Sequence, residues 1–225
     1  MTADPRKVKK AFSVPSMTYT EAMELSHFGA KVIHPPTIQP ALDKGIPLRI
    51  KNTFRPHVPG TFISVKPGDT NYIIKGISSI DDVSLLTMQG SGMVGVAGIS
   101  ARLFGALYQS KVNVILITQG SSEHTISFAV KPDDAIVAAN AIEEVFALEI
   151  KAKMIEKVRV ENGLSIVAVI GENMRNQPGV SGRMFQSLGK NGISVVATAQ
   201  GSSELNISVV IPKKDLPKAL NSLHQ

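Results

Sequence analysis

The sequence predicts an α+β protein of two ferredoxin-like βαββαβ units, the first inserted in the second, preceded by a piece of an α/β domain. Three observations predict it. Val83 to Val130 lies over Leu164 to Ile211 at a constant offset of 81 residues without a gap, so one folding unit is present twice. In each copy the apolar runs and glycine-rich turns follow the order strand, helix, two strands, helix. Residues 1–52 have a different texture and are set off by a stretch rich in Pro and Gly.

Within the repeat, Gly90/Gly171, Met93/Met174, Gly98/Gly179, Ser100/Ser181, Arg102/Arg183, Phe104/Phe185 and Leu107/Leu188 are identical. The longest shared run is polar, Gln119-Gly-Ser-Ser-Glu123 over Gln200-Gly-Ser-Ser-Glu204. A repeat kept only for packing should share its apolar positions best, so this loop points to similar work in both copies.

In chain order, Thr20 to Gly29 carries Ala22, Met23, Leu25 and Phe28 at helical spacing, with Thr18 or Thr20 as its cap. A short helix follows over 38–44, stopped by Gly45, and 47–52 reads as a strand. Residues 53–70, with Pro56, Pro59, Gly60, Pro67 and Gly68, read as a connector. The repeated region then runs over 71–225.

Unit one, about 81–161, opens with a strand over 83–89. A glycine-rich turn leads into a helix with the stripe Val96, Ile99, Leu103, Phe104 and Leu107. Strands over 112–118 and 125–130 flank the QGSSE loop, followed by a helix near 133–148 and a strand near 155–160. Unit two, about 162–225, ends after a helix over 215–223 and lacks its fourth strand. At the same offset, Tyr72 to Ile77 aligns with the strand before Leu164. It is therefore expected to complete unit two and cover an open sheet edge.

Of 225 residues, 43% are hydrophobic and 19% charged, enough for a proper core. The strongest apolar runs are strand length, far short of a helical membrane span, and no secretory signal is visible. There are no cysteines, which fits a reducing, cytoplasmic setting. The net charge of +6 raises nucleic acid as a partner. The charges are scattered, however, with Arg6, Lys7, Lys9 and Lys10 the only dense cluster, and read as a solvated surface. Five dispersed histidines show no metal-ligand spacing, and Met88, Met93, Met174 and Met184 read as core filler.

Chemistry centres on the loops. The turn Gly90 to Gly98 leaves a strand and enters a helix, presenting free N–H groups at a positive dipole end. It reads either as a carboxylate site or as a plain glycine turn. Gln119 and Gln200, at strand ends, offer donors and acceptors suited to a small zwitterion or hydroxyl. Ser121, Ser122 and Glu123 cap or tighten the loop, which without a ligand is simply a polar hairpin. Asn113 is placed either to take an amino group or to bond locally.

These residues resemble a known family, the carboxyl-terminal half of aspartokinase, in particular the threonine-responsive kind fused to homoserine dehydrogenase. Thr2-Ala-Asp-Pro-Arg6, Glu21-Ala-Met-Glu-Leu-Ser-His-Phe-Gly-Ala-Lys-Val-Ile-His-Pro35, Ile50-Lys-Asn-Thr53 and Pro59-Gly-Thr61 look like the tail of an amino-acid-kinase domain. Ile117-Thr-Gln-Gly-Ser-Ser-Glu123 and Ala199-Gln-Gly-Ser-Ser-Glu204 resemble tandem ACT domains, modules that bind amino acids.

The resemblance implies a parent enzyme that uses ATP and Mg to phosphorylate the aspartate side chain. This chain alone is expected to be inactive, with no catalytic residue and no cofactor of its own, because most of the kinase region is absent. By resemblance Asp4 and Arg6 belong to a nucleotide loop, while Glu21, Phe28 and His34 are structural. Pro36 departs from the Arg of single-function relatives, which favours the fused class. The resemblance also implies a threonine effector held by Gln119 and Gln200. Met93, Val94, Gly95 and Gly98 receive its carboxylate, with Asn113, Ser122 and Glu123 assisting. A homodimer through the ACT units is expected. A lysine-responsive subunit, or a chain completing an active kinase with a separate lobe, are the alternatives.

Overall fold

The structure, a computed structural model, describes residues 1–29, 33–66 and 72–224. Ala30, Lys31 and Val32 of the amino-terminal motif and residues 67–70 of the expected connector lie outside the described residues. The chain divides into two compact units: residues 1–80 with 165–225 form the host, and residues 81–164 the inserted unit. Among the described residues no helix is long and apolar enough to cross a membrane. Nor does any group of three His, Cys, Asp or Glu there suit a metal ion.

The host begins with β1 (Ser16–Thr18) and α1 (Tyr19–His27). Thr18 is the N-cap of α1: its side chain accepts the Glu21 N–H while the Glu21 carboxylate accepts the Thr18 N–H. The Tyr19 hydroxyl donates to the Ile46 carbonyl. Next come α2 (Pro35–Asp43), β2 (Leu48–Ile50) and β3 (Thr61–Ser64). The three strands form a sheet of order β1-β3-β2, with β1 parallel and β2 antiparallel to β3. The stretch expected as a connector therefore holds the central strand of a sheet. Its Ile63 is fully buried, and β3 was masked in the sequence by the Pro and Gly on either side.

β4 runs unbroken over Gly76–Gln89. Two separate strands, 72–77 and 83–89, were expected here; Asp81 and Asp82, between them, are exposed mid-strand. Tyr72 to Lys75 lie outside the strand, yet the Lys75 N–H donates to the Ile170 carbonyl at 2.8 Å.

In the inserted unit, β4 leads through a 3-10 turn, Ser91–Met93, to α3 (Ile99–Gln109). Then follow β5 (Leu116–Gln119), β6 (Thr125–Val130), α4 (Ala135–Val145), α5 (Ala147–Lys151) and β7 (Arg159–Ile170). Strand order is β5-β6-β4-β7, and β6 is antiparallel to both β4 and β5. Alternate residues of β4 and β6, Leu86, Met88, Ile126, Phe128 and Val130, pack with Leu103 and Leu107 of α3 and Ala138 and Ile142 of α4. Val96, expected on the α3 stripe, stands before the helix and is 48% exposed.

Arg102 of α3 lies over the Phe146 ring at 4.2 Å and pairs with Glu149 at 2.5 Å. Hydrogen bonding from Arg102 holds the Glu149 carboxyl below the usual range. A lowered carboxylate pKa adds stability above the unfolded-state value and loses it as pH falls through the folded one. Glu149→Gln should therefore cost about 0.5–1 kcal/mol at neutral pH for this half-exposed pair. In denaturant titrations at several pH values, that difference should shrink as pH falls below the ordinary glutamate range and close once the carboxyl protonates in the folded protein.

In the host, β7 leads through a second 3-10 turn, Glu172–Met174, to α6 (Val180–Lys190). Next come β8 (Ala197–Gln200), β9 (Asn206–Pro212) and α7 (Leu216–Leu223), giving the strand order β4-β7-β9-β8. The core joins Ile77, Val167, Val169, Val209, Met184, Leu188 and Leu220, together with Ala3 and Val8 from the amino end.

Counterpart contacts match across the units. Glu156 N–H donates to the Gln89 carbonyl at 2.8 Å, as Lys75 N–H does to Ile170. Gly90 lies against Met154 and Ile155, as Gly171 lies against Ile73 and Ile74. The segment before β4 thus fills in the host the place that 154–156 fill in the inserted unit.

Candidate functional site

In the inserted unit a cavity of about 320 Å³ opens between the start of α3 and the hairpin of β5 and β6. Its walls include Met93, Gly98, Gln119 and Glu123, four of the residues singled out in the sequence. Val96, Ile99, Ser100, Ala101 and Ile126 complete the lining. Val94, Gly95, Asn113 and Ser122 are exposed but do not line it. Asn113 precedes β5 instead of lying on a strand.

The floor follows from one backbone choice. Gly98 is the N-cap of α3 in the left-handed conformation, φ 88°, and no side chain caps the helix. The N–H groups of Ile99, Ser100 and Ala101 have no intrahelical partner, and all three residues line the cavity. They make a partial positive pole suited to a carboxylate. Opposite stands the exposed amide of Gln119 at the end of β5, and Met93 and Ile126 supply buried apolar wall.

The Glu123 carboxylate is already engaged: its Oε2 accepts the Gly95 N–H at 3.0 Å. The Gly95 N–H expected in the carboxylate site is therefore taken by the protein's own side chain, and the Val94 N–H donates to the Ser91 carbonyl at 3.4 Å. In the host, Glu204 Oε2 accepts the Asn176 N–H at 2.6 Å, the counterpart bond. Glu123 and Glu204 both adopt left-handed backbone, φ 57° and 54°, a strained state that the clasp helps hold. No sequence spacing reveals a bond across 28 residues; only the repetition of Glu123 in Glu204 hinted at it.

Gln200 ends β8 and is exposed, and Gly179, φ 86°, starts α6 with no side-chain cap, so the host repeats the arrangement. Arg175 and Asn176 stand where the inserted unit has Val94 and Gly95. Sequence reading missed Ser100, which joins the site because it opens a helix; its identity with Ser181 was the available signal. Asp4 and Arg6 pair with each other, at 2.8 Å between Arg6 Nη2 and Asp4 Oδ2. The Arg6 guanidinium holds the Asp4 carboxyl below the usual carboxylate range.

Matches to the ACT domain cover residues 86–146 and 167–225. The chain belongs to the ACT-domain family. Residues 1–52 match the amino acid kinase family. The bifunctional aspartokinase/homoserine dehydrogenase of Haemophilus influenzae is 43% identical over 224 residues, covering 100% of this chain and 28% of that protein. The chain spans about a quarter of the length of the curated relatives it matches. The Clostridium acetobutylicum aspartate kinase structure superposes with TM-score 0.88 and 27% identity, over 100% of this chain and 51% of that one. Escherichia coli aspartokinase III in complex with lysine and aspartate gives TM-score 0.76 at 28% identity, over 99% and 48%. The tandem ACT units with their short kinase segment thus match the carboxyl-terminal regulatory part of aspartokinase.

Proposed function

We propose that the chain is the threonine-sensing region of an aspartokinase, passing feedback inhibition to a kinase that needs ATP and Mg. The observation that carries this reading is the cavity itself, with the uncapped first turn of α3 facing the Gln119 amide. The effector's α-carboxylate would accept from the N–H groups of Ile99 to Ala101. The Gln119 Oε1 would accept from its ammonium and the Nε2 would donate to its hydroxyl. Met93, Val96 and Ile126 suit a methyl group. A volume near 320 Å³ is at the small end for ligand sites and fits a compact amino acid.

Lysine is the second reading, because aspartokinase III was solved with it. It is disfavoured because a long ammonium needs a carboxylate, and among the described residues lining the cavity the one carboxylate, Glu123, already holds the Gly95 N–H through Oε2. Pairing of two copies through the ACT units belongs to the same proposal. β5 is an edge strand whose Ile117 is 48% exposed, a surface that a partner sheet would cover.

Thermal unfolding with threonine, lysine, methionine or no ligand tests the reading. At about 100 times its Kd, threonine should add about 2.7 kcal/mol, or about 5–10 °C in Tm. Gln119→Ala should lower that gain. A shift with lysine alone would overturn the effector assignment, and no shift with any amino acid would overturn the sensor reading.

A further inference from the structure

The amino-terminal segment grips the second glycine turn with one buried carboxylate. Glu21, in the first turn of α1, is 1% exposed. Its Oε2 accepts the Thr18 N–H and its Oε1 accepts the Glu172 N–H, both at 2.9 Å. Glu172 opens the 3-10 turn that ends at Met174, and beyond it the Asn176 N–H is held by Glu204. The turn is therefore tied at both ends by carboxylates, by Glu21 from the kinase-like segment and by Glu204 from the QGSSE loop. A parallel tie runs from the Asn206 Nδ2 at the start of β9 to the Glu24 Oε2 at 2.5 Å. The inserted unit repeats only the loop-side tie, Glu123 on Gly95. Among the described residues, no carboxylate accepts from Ser91, the counterpart of Glu172.

We propose that Glu21 is the positioning residue through which the state of the host's ligand-side turn reaches α1, so that the two ACT units differ in their connection to the kinase segment. The inference rests on the amino-acid-sensing reading only in naming the ligand. A carboxylate can hold an N–H only while donor and acceptor keep their spacing. Both oxygens of Glu21 are used, one on its own helix cap and one on the turn. A displacement of Glu172 must therefore strain the α1 cap or break the bond, which makes the pair a two-state element. Glu204, in the QGSSE loop, holds the Asn176 N–H two residues beyond the end of the same turn.

The test is amide hydrogen exchange of α1 in the whole chain, comparing wild type, Glu204→Gln, Glu172→Pro and the double variant, each with and without threonine. Glu172→Pro removes the donor at the first position of a 3-10 turn, where proline is tolerated, and leaves Glu21 intact. Glu204→Gln should change exchange across α1 by about 5-fold or more in the wild-type background. In the Glu172→Pro background the same substitution should change it by less than about 2-fold, below the range of a working coupling. Threonine should likewise alter α1 exchange only where the Glu172 N–H is present. Glu21→Gln, which loses one of two acceptors, should abolish the sensitivity as Glu172→Pro does.

An equal α1 response to Glu204→Gln in both backgrounds, or no response in wild type, overturns the proposal. If α1 follows Glu204→Gln through Glu172 while threonine moves no amide, the coupling stands and the threonine reading fails.

Discussion

Alanine at Gly90 or at Gly171 is expected to destabilise the chain by about 3 kcal/mol, at the upper end for forcing extra volume into a packed site. An added Cβ would stand 2.2 Å from the Met154 carbonyl oxygen at the first position and 2.2 Å from that of Ile73 at the second. In each case the obstacle is backbone and cannot rotate away. In each case it also adjoins the ladder bond that fastens the segment to its strand, Glu156 to Gln89 or Lys75 to Ile170. Both glycines have extended backbone, so the requirement is one of close approach and not of left-handed conformation. In a chain this long the loss corresponds to about 6–12 °C in Tm.

Gly105→Ala and Gly182→Ala are the matched controls. They lie within α3 and α6 with nothing inside 4 Å of the added atom, and should gain about 0.5–1 kcal/mol. Denaturant titration of the four variants reads the contrast. A Gly171→Ala protein as stable as Gly182→Ala would mean that Ile73 and Ile74 do not occupy the place that Met154 and Ile155 hold in the inserted unit.

Glu21→Ala is expected to cost about 3 kcal/mol, because it removes the acceptor of two part-buried N–H groups, Thr18 and Glu172, around a side chain that is itself 1% exposed, at about 1–3 kcal/mol each. Removal of a buried charge offsets part of this, which keeps the sum below the full penalty. Glu21→Gln, able to satisfy one donor, should fall between wild type and alanine. Equilibrium unfolding decides it: a loss under about 1 kcal/mol for Glu21→Ala would place water, not protein, at those two donors.

The repeat was the legible part of this chain, since one offset aligned strands, helices and the QGSSE loop, and the inserted order followed from Tyr72 to Ile77 standing before the first copy. Gln119, Glu123, Met93 and Gly98 were legible for the same reason, as shared positions flanking turns. Ser100, Ala101 and Ile126 were not, because a helix start and a strand interior look like packing until the two elements face each other. β3 was hidden by its setting: Pro59 and Gly60 before it and Pro67 after it carry a connector's composition around four strand residues. β4 read as two strands because the repeat assigned 72–77 and 83–89 to different units, while the exposed Asp81 and Asp82 between them lie within one strand. Glu21 was expected to be structural from the resemblance. Its second oxygen reaches a residue 151 positions away, and no local pattern carries that information.

The central claim is that a small amino acid binds with its carboxylate on the first turn of α3 and its remaining polar groups toward Gln119. The most direct measurement is a threonine titration of the isotope-labelled chain followed by amide NMR. The account predicts saturable shifts of the Ile99, Ser100 and Ala101 N–H signals and of the Gln119 side-chain amide, with the backbone shifts weakened in Gln119→Ala. Saturable binding that moves other amides while these four stay still would contradict it.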